Sequence, residues 1–243
     1  MDPPPSPADD PTERWGRLLA TVATDDGLVR YDVLRADSQA LRDFVGWIAE
    51  HGPETDGFRL LDDDRRLAWH LNAYNALVLW RVLQEDPLPH SVRDIPGFFW
   101  WQEFGVDRGY VSLYNYERRD ILPTYQEPLA HAALNCASRS CPPLRAELYH
   151  GFEVQNQLGN QLRRWIRLED PARAAVTWDA AAGQFVFSPI FDWYAHDFQQ
   201  WGGAATPCDV VLPFAETQLR ALLGGHQDCP RRFYDYDWSL NGA

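Results

Sequence analysis

Apolar positions recur at helical spacing from the start of the chain. Trp15, Leu18, Leu19 and Val22 share one face of a first predicted helix. Asp25-Asp26-Gly27 reads as a turn leading into Leu28-Val-Arg-Tyr31. Asp37 or Ser38 is placed to cap a helix carrying Leu41, Phe44, Val45 and Ile48, which the Gly52-Pro53 pair stops. Asp62-Asp-Asp64 opens the most apolar segment, residues 67–83, and three carboxylates suit the positive end of a helix dipole. That segment is apolar on nearly every side, which predicts a helix buried in the core.

Beyond it the pattern shortens. Ser91 to Ile95 predicts a short helix or turn, and Gly97-Phe-Phe-Trp-Trp101 an aromatic loop. Gly109-Tyr-Val-Ser-Leu113 predicts a short strand leading into a helix through Ile121 and Leu122. His131 to Cys136 is too short to separate helix from strand. Residues 152–167 read as a helix, and 174–178 with 184–188 as a β-hairpin across a Gly-containing turn. Helices at about 189–201 and 209–222 precede an aromatic, acidic tail. The sum is α+β: a helix-rich single domain over residues 12–241, with a small, mostly antiparallel sheet around the central helix. Residues 1–11, rich in Pro and Asp, are expected to be disordered.

Composition narrows the function. With 45% apolar residues, 11 Trp, 10 Tyr and 12 Phe in 243 residues, the chain has ample material for a core. A formal net charge of −13 opposes nucleic-acid binding and docking on an anionic membrane. No apolar run approaches the roughly 18 residues of a spanning helix. The N-terminal segment lacks the basic and apolar regions of a secretory signal, so a cytoplasmic location is expected. Four cysteines in a reducing compartment point to catalysis, metal or packing rather than to a disulfide framework. Cys208 and Cys229 have no chemical company and read as packing.

The chemistry concentrates in His131-Ala-Ala-Leu-Asn-Cys-Ala-Ser-Arg-Ser-Cys-Pro-Pro-Leu144. Cations and helix N-termini lower a cysteine's pKa and supply the thiolate. Arg139 lies between Cys136 and Cys141, His131 lies upstream, and Pro142-Pro143 suits a first helical turn. Cys136 follows Asn135 where an element ends and backbone N–H groups become free for an oxyanion. Which thiol reacts is open, and positions five apart do not face one another in a helix or strand. Packing, a redox pair Cys136/Cys141, and a zinc site of His131, Cys136 and Cys141 are the competing readings. Asn72 and Asn75 share a face of the apolar helix, so they either brace a neighbouring loop or hold a substrate carbonyl. Glu117 is a helix-start carboxylate, and His196 beside Asp197 is the best placed of the remaining histidines.

Five blocks in order extend this pattern. They are Leu71-Asn-Ala-Tyr-Asn-Ala-Leu77, Ser91-Val-Arg-Asp-Ile95, the thiol segment 131–144, Ile190-Phe-Asp-Trp-Tyr194 with Asp197-Phe198, and Tyr236-Asp-Trp-Ser-Leu-Asn241. Together they resemble the family of domain of unknown function 547 over roughly residues 12–241. The resemblance brings no established reaction. It marks Asn72, Tyr74, Asn75, Glu117, His131, Cys136, Ser140, Cys141 and Asp197 as matching polar positions. Arg118 stands where relatives tend to carry His, and Thr124 where a basic residue is expected.

The expectation is a cysteine-dependent hydrolase or acyl-transfer enzyme. Cys136 would be the nucleophile and His131 the base, with Glu117, Asn72 and Asn75 completing the catalytic set. Tyr74, Asn135, Arg139, Ser140, Cys141, Trp193 and Asp197 would surround a small or peptide-like substrate. No Gly-rich phosphate loop or zinc-pair spacing is present, so neither a cofactor nor a metal is expected. The alternatives are thiol–disulfide exchange and a non-catalytic interaction module.

Overall fold

The computed structural model describes residues 10–56 and 62–243. Residues 1–9, where disorder is expected, lie outside that range. Asp10 and Pro11 do not belong with them: the Asp10 side chain accepts the Thr12 N–H at 2.8 Å and caps helix α1 (Pro11–Val22). Helices α2 (Tyr31–Ala36) and α3 (Gln39–Glu50) follow, and α3 packs against α1 through Leu41, Phe44 and Ile48.

The predicted central helix is α4 (Asp63–Leu83), started by Asp62, whose carboxylate accepts the Arg65 N–H at 2.8 Å. Leu71, Ala73, Ala76, Leu77, Val78, Leu79 and Val82 are fully buried, covering its whole circumference. Helices rather than a sheet enclose it: α3, α7 (Val154–Ile166) and the helical run after the first hairpin. That run comprises α5 (Leu113–Asn115), a π-helical turn over Tyr116–Ile121, and α6 (Leu122–Tyr125).

The molecule is α+β, as expected, with its strands in two small sheets, the first of which sends Phe104, Val106 and Val111 into the cluster around α4. Strands β1 (Glu103–Val106) and β2 (Gly109–Ser112) make an antiparallel hairpin packed on α3. Strands β3 (Val176–Asp179) and β4 (Gln184–Phe187) form the expected hairpin, and β5 (Arg231–Phe233) adds to β4 in parallel. The expected helix 189–201 is broken at Tyr194 into α8 (Ile190–Trp193) and α9 (Ala195–Gln200). The next is divided into α10 (Pro207–Val211) and α11 (Thr217–Gly225), since Pro213 and the extended Ala215 cannot continue it.

Two buried clusters result. One gathers around α4, and the other joins Trp165, Phe185, Phe187, Phe191 and Phe198. Cys208 and Cys229 lie in the second cluster but do not merely pack. With their Cα atoms 6.0 Å apart they form a disulfide closing 21 residues of chain. Cysteine usage therefore gives no argument for a reducing compartment. Among the described residues no helix is long and apolar enough to cross a membrane.

Candidate active site

Between the two clusters opens a cavity of about 630 Å³. The thiol segment forms its floor. A 3₁₀ turn over Pro128–Ala132 delivers His131, and irregular chain from Ala133 delivers Cys136 and Cys141. Buried irregular chain needs partners for its peptide groups. Asn75 supplies two: its Nδ2 donates to the Ala133 carbonyl at 3.0 Å, and its Oδ1 accepts the Asn135 N–H at 2.8 Å. Asn135 folds the next residues, donating to the Pro142 carbonyl and accepting the Ala137 N–H at 2.9 Å. Ala137 is thereby held at φ +60°, a left-handed conformation that costs a non-glycine residue about 1–2 kcal/mol. On the outer side Gly27 (φ +80°) lies so close to Pro143 that a Cβ would sit 2.2 Å from the proline ring. Only glycine fits there.

The chain's last stretch laces this loop to the rest. Arg139 N–H donates to the Ser239 carbonyl at 2.7 Å, Ser140 N–H to that of Asp237 at 3.1 Å, and Asn241 N–H to that of Ala137 at 3.0 Å. The same stretch brings Tyr236 to the sulfur of Cys136. The Tyr236 hydroxyl lies 3.2 Å from Cys136 Sγ and the Ser138 hydroxyl 2.8 Å from it, while the two hydroxyls are 2.9 Å apart.

The two cysteines are unequal. Burial pushes the Cys136 thiol up, but hydrogen bonds from Cys141, Ser138 and Tyr236 outweigh it and lower its pKa to about 7. Cys141 goes the other way: burial and the neighbouring Cys136 raise it well above the ordinary thiol value. Its sulfur accepts the Cys136 N–H at 2.8 Å. That bond, with Ala137 N–H given to Asn135, removes the free backbone donors expected beside Cys136.

His131 is buried, and its Nε2 lies 3.0 Å from Asp197 Oδ2. The His131 hydrogen bond holds the Asp197 carboxyl below its usual range. An ionised carboxylate only accepts, so Nε2 carries a proton, and in the neutral ring Nδ1 holds the lone pair. Nδ1 bonds to none of the described residues. The ring is packed by Tyr194, with centroids 3.9 Å apart, and by Phe198. His131 does not hydrogen-bond either cysteine, although all three face the cavity. No cluster of three metal-ligating side chains forms among the described residues.

The opposite wall is a carboxylate held by phenols. The π turn presents Glu117, which accepts from Tyr74 Oη at 3.0 Å and Tyr194 Oη at 2.6 Å. Such turns are frequent at functional sites. Burial and Glu117 together push both tyrosines above their ordinary pKa. Trp193 lines the mouth with Trp100, Trp238 and Tyr114. Gly97 (φ +63°) allows the Trp101 ring to fold over it and turns the aromatic loop beside the mouth.

Of the predicted site residues, Tyr74, Glu117, His131, Cys136, Cys141 and Trp193 meet in this cavity. Asn75, Asn135, Arg139 and Ser140 stand behind it. Ser140 Oγ ties the Ala172 carbonyl to the Asp237 N–H. Asp197 orients His131 and is not bonded to its neighbour His196. Asn72 faces elsewhere, its amide donating to and accepting from the Tyr149 backbone at 2.8 Å each way. Sequence reasoning missed Ser138, Tyr194, Tyr236 and Trp238, all of which lie inside the resemblance blocks.

Comparison with known proteins covers part of this arrangement. No curated protein and no solved structure matches the chain. A family described as "Protein of unknown function, DUF547" matches residues 58–166, and over that segment, which holds α4, Glu117, His131, Cys136 and Cys141, the chain resembles it.

Proposed function

We propose that the cavity is the active site of a cysteine-dependent acyl hydrolase or acyltransferase with Cys136 as nucleophile. The carrying observation is the sulfur itself: a half-buried thiol on a cavity floor, flanked by two hydroxyls, with its pKa brought to about 7. A thiolate available near neutrality is what nucleophilic catalysis requires.

The steps follow from the residues present. The thiol proton of Cys136 passes through the cavity to His131 Nδ1, and the Asp197 carboxylate stabilises the resulting imidazolium. The sulfur bonds to the acyl carbon, the bond to the leaving group breaks, and the Nδ1 proton goes to that group. Nδ1 then takes a proton from water, or from an acceptor hydroxyl or amine, whose heavy atom bonds to the acyl carbon. The C–S bond breaks and the thiolate–imidazolium pair returns. The Tyr236 hydroxyl, 3.2 Å from the sulfur, is placed to donate to the oxyanion. The aromatic mouth and the cavity volume suit a small or peptide-like substrate.

Two measurements test this. Iodoacetamide labelling with mass mapping should show Cys136 alkylated first, with a rate rising through about pH 7. Activated esters should give a burst of released alcohol stoichiometric with enzyme, absent in Cys136→Ser. A Cys136 that titrates like a free thiol and gives no burst would remove the proposal. A dithiol in which both Cys→Ser variants lose function equally would favour disulfide exchange instead.

A further inference from the structure

Two guanidiniums stand at the cavity mouth of a strongly acidic protein. Arg93 lies over the Trp238 ring, 5.3 Å from its centroid, and Arg118 over the Tyr194 ring at 5.0 Å; both rings are cavity wall. Stacking on an aromatic face fixes a guanidinium's plane and leaves the N–H groups of its edge for a ligand. Neither arginine forms an ion pair with a carboxylate among the described residues. Arg118 does face the field of Asp197, but that carboxylate is hydrogen-bonded to His131 and is not in the wall. The one carboxylate that is, Glu117, already accepts from two tyrosines.

We propose that the cavity selects acyl substrates bearing a carboxylate, held at the mouth by Arg93 and Arg118 while an apolar body lies between the aromatic walls. Two guanidiniums outnumber the single carboxylate, Glu117, among the residues that line the cavity, which favours an anionic group on the substrate. A planar carboxylate also fits the donor fork of arginine in a bidentate way. The inference rests on the reading of the cavity as the substrate site.

The test keeps the thiol out of the measurement. In Cys136→Ser, 3-phenylpropionate and its neutral amide are titrated against tryptophan fluorescence, since Trp100, Trp193 and Trp238 report on the mouth. The acid should bind at least about tenfold more tightly than the amide, and this preference should shrink as salt rises. Arg93→Gln and Arg118→Gln should each weaken the acid by about three- to tenfold and leave the amide unchanged. Both residues are exposed, so the fold should persist, and circular dichroism checks it. Equal affinity for acid and amide, no binding of either, or full acid binding in the double variant would overturn the inference. Failure of the nucleophile reading shows separately, in the labelling and burst experiments on the native thiol.

Discussion

Two cysteine pairs share this chain and have opposite chemistry. Cys208 and Cys229 are 21 residues apart in sequence, yet α10, α11 and the turn leading to β5 bring them together in an apolar cluster, where they bond. Cys136 and Cys141 are five apart and remain free. Their loop is fastened at every turn by Asn75, Asn135 and the C-terminal stretch, and one sulfur is occupied accepting the other residue's N–H. Proximity in sequence therefore says little about a thiol. What surrounds the sulfur decides: apolar side chains and a fitting Cα separation produce a cross-link, whereas hydroxyls and a fixed loop lower a thiol's pKa.

That contrast can be broken at several places. The largest effect is expected from Cys136→Ser, which should abolish fast labelling by iodoacetamide, while Cys208 and Cys229 stay unreactive until a reductant is added. Fast labelling that survives in Cys136→Ser would assign the reactive thiol to Cys141. Cys208→Ala/Cys229→Ala should lower stability by about 3 kcal/mol, as expected for a loop of this length, and leave the Cys136 labelling rate unchanged. Denaturant titration alongside labelling separates the two readouts. Asn75→Ala should cost about 2–3 kcal/mol, because it leaves the buried Ala133 carbonyl and Asn135 N–H without partners. It should also slow labelling, whereas Asn72→Ala, with a similar loss of hydrogen bonds at Tyr149, should not. The smallest effect belongs to Cys141→Ala. Losing its hydrogen bond moves the Cys136 pKa up from about 7, so the labelling profile shifts to higher pH and the rate at neutrality falls about two- to threefold.

The helices around the core were legible because their apolar periodicity is strong. Trp15 to Val22, Leu41 to Ile48 and the all-round apolar α4 appear where the pattern puts them. Strands β1 and β5 were not, being three or four residues long: β1 alternates with only two buried positions, Phe104 and Val106, and β5 has none. In the site, Cys136, Cys141 and His131 stood out by residue type and crowding. Tyr194 and Tyr236 did not, because a tyrosine near a cavity looks like any aromatic until the chain brings it to a carboxylate or a sulfur. The disulfide escaped for the same reason: Cys208 and Cys229 meet only through tertiary packing, which spacing does not encode. Asn72 and Asn75 were correctly placed on one face, but only the structure separates the brace behind the thiol from the brace behind Tyr149.

The hydroxyl of Tyr236 comes a hundred positions after the sulfur it contacts. In vectorial synthesis Cys136 therefore leaves the ribosome long before this donor exists, and closing so long a loop is a late, slow event in folding. A nascent or prematurely released chain would lack this donor, and the set of hydrogen bonds at the Cys136 sulfur would be complete only when the last turns settle over the loop.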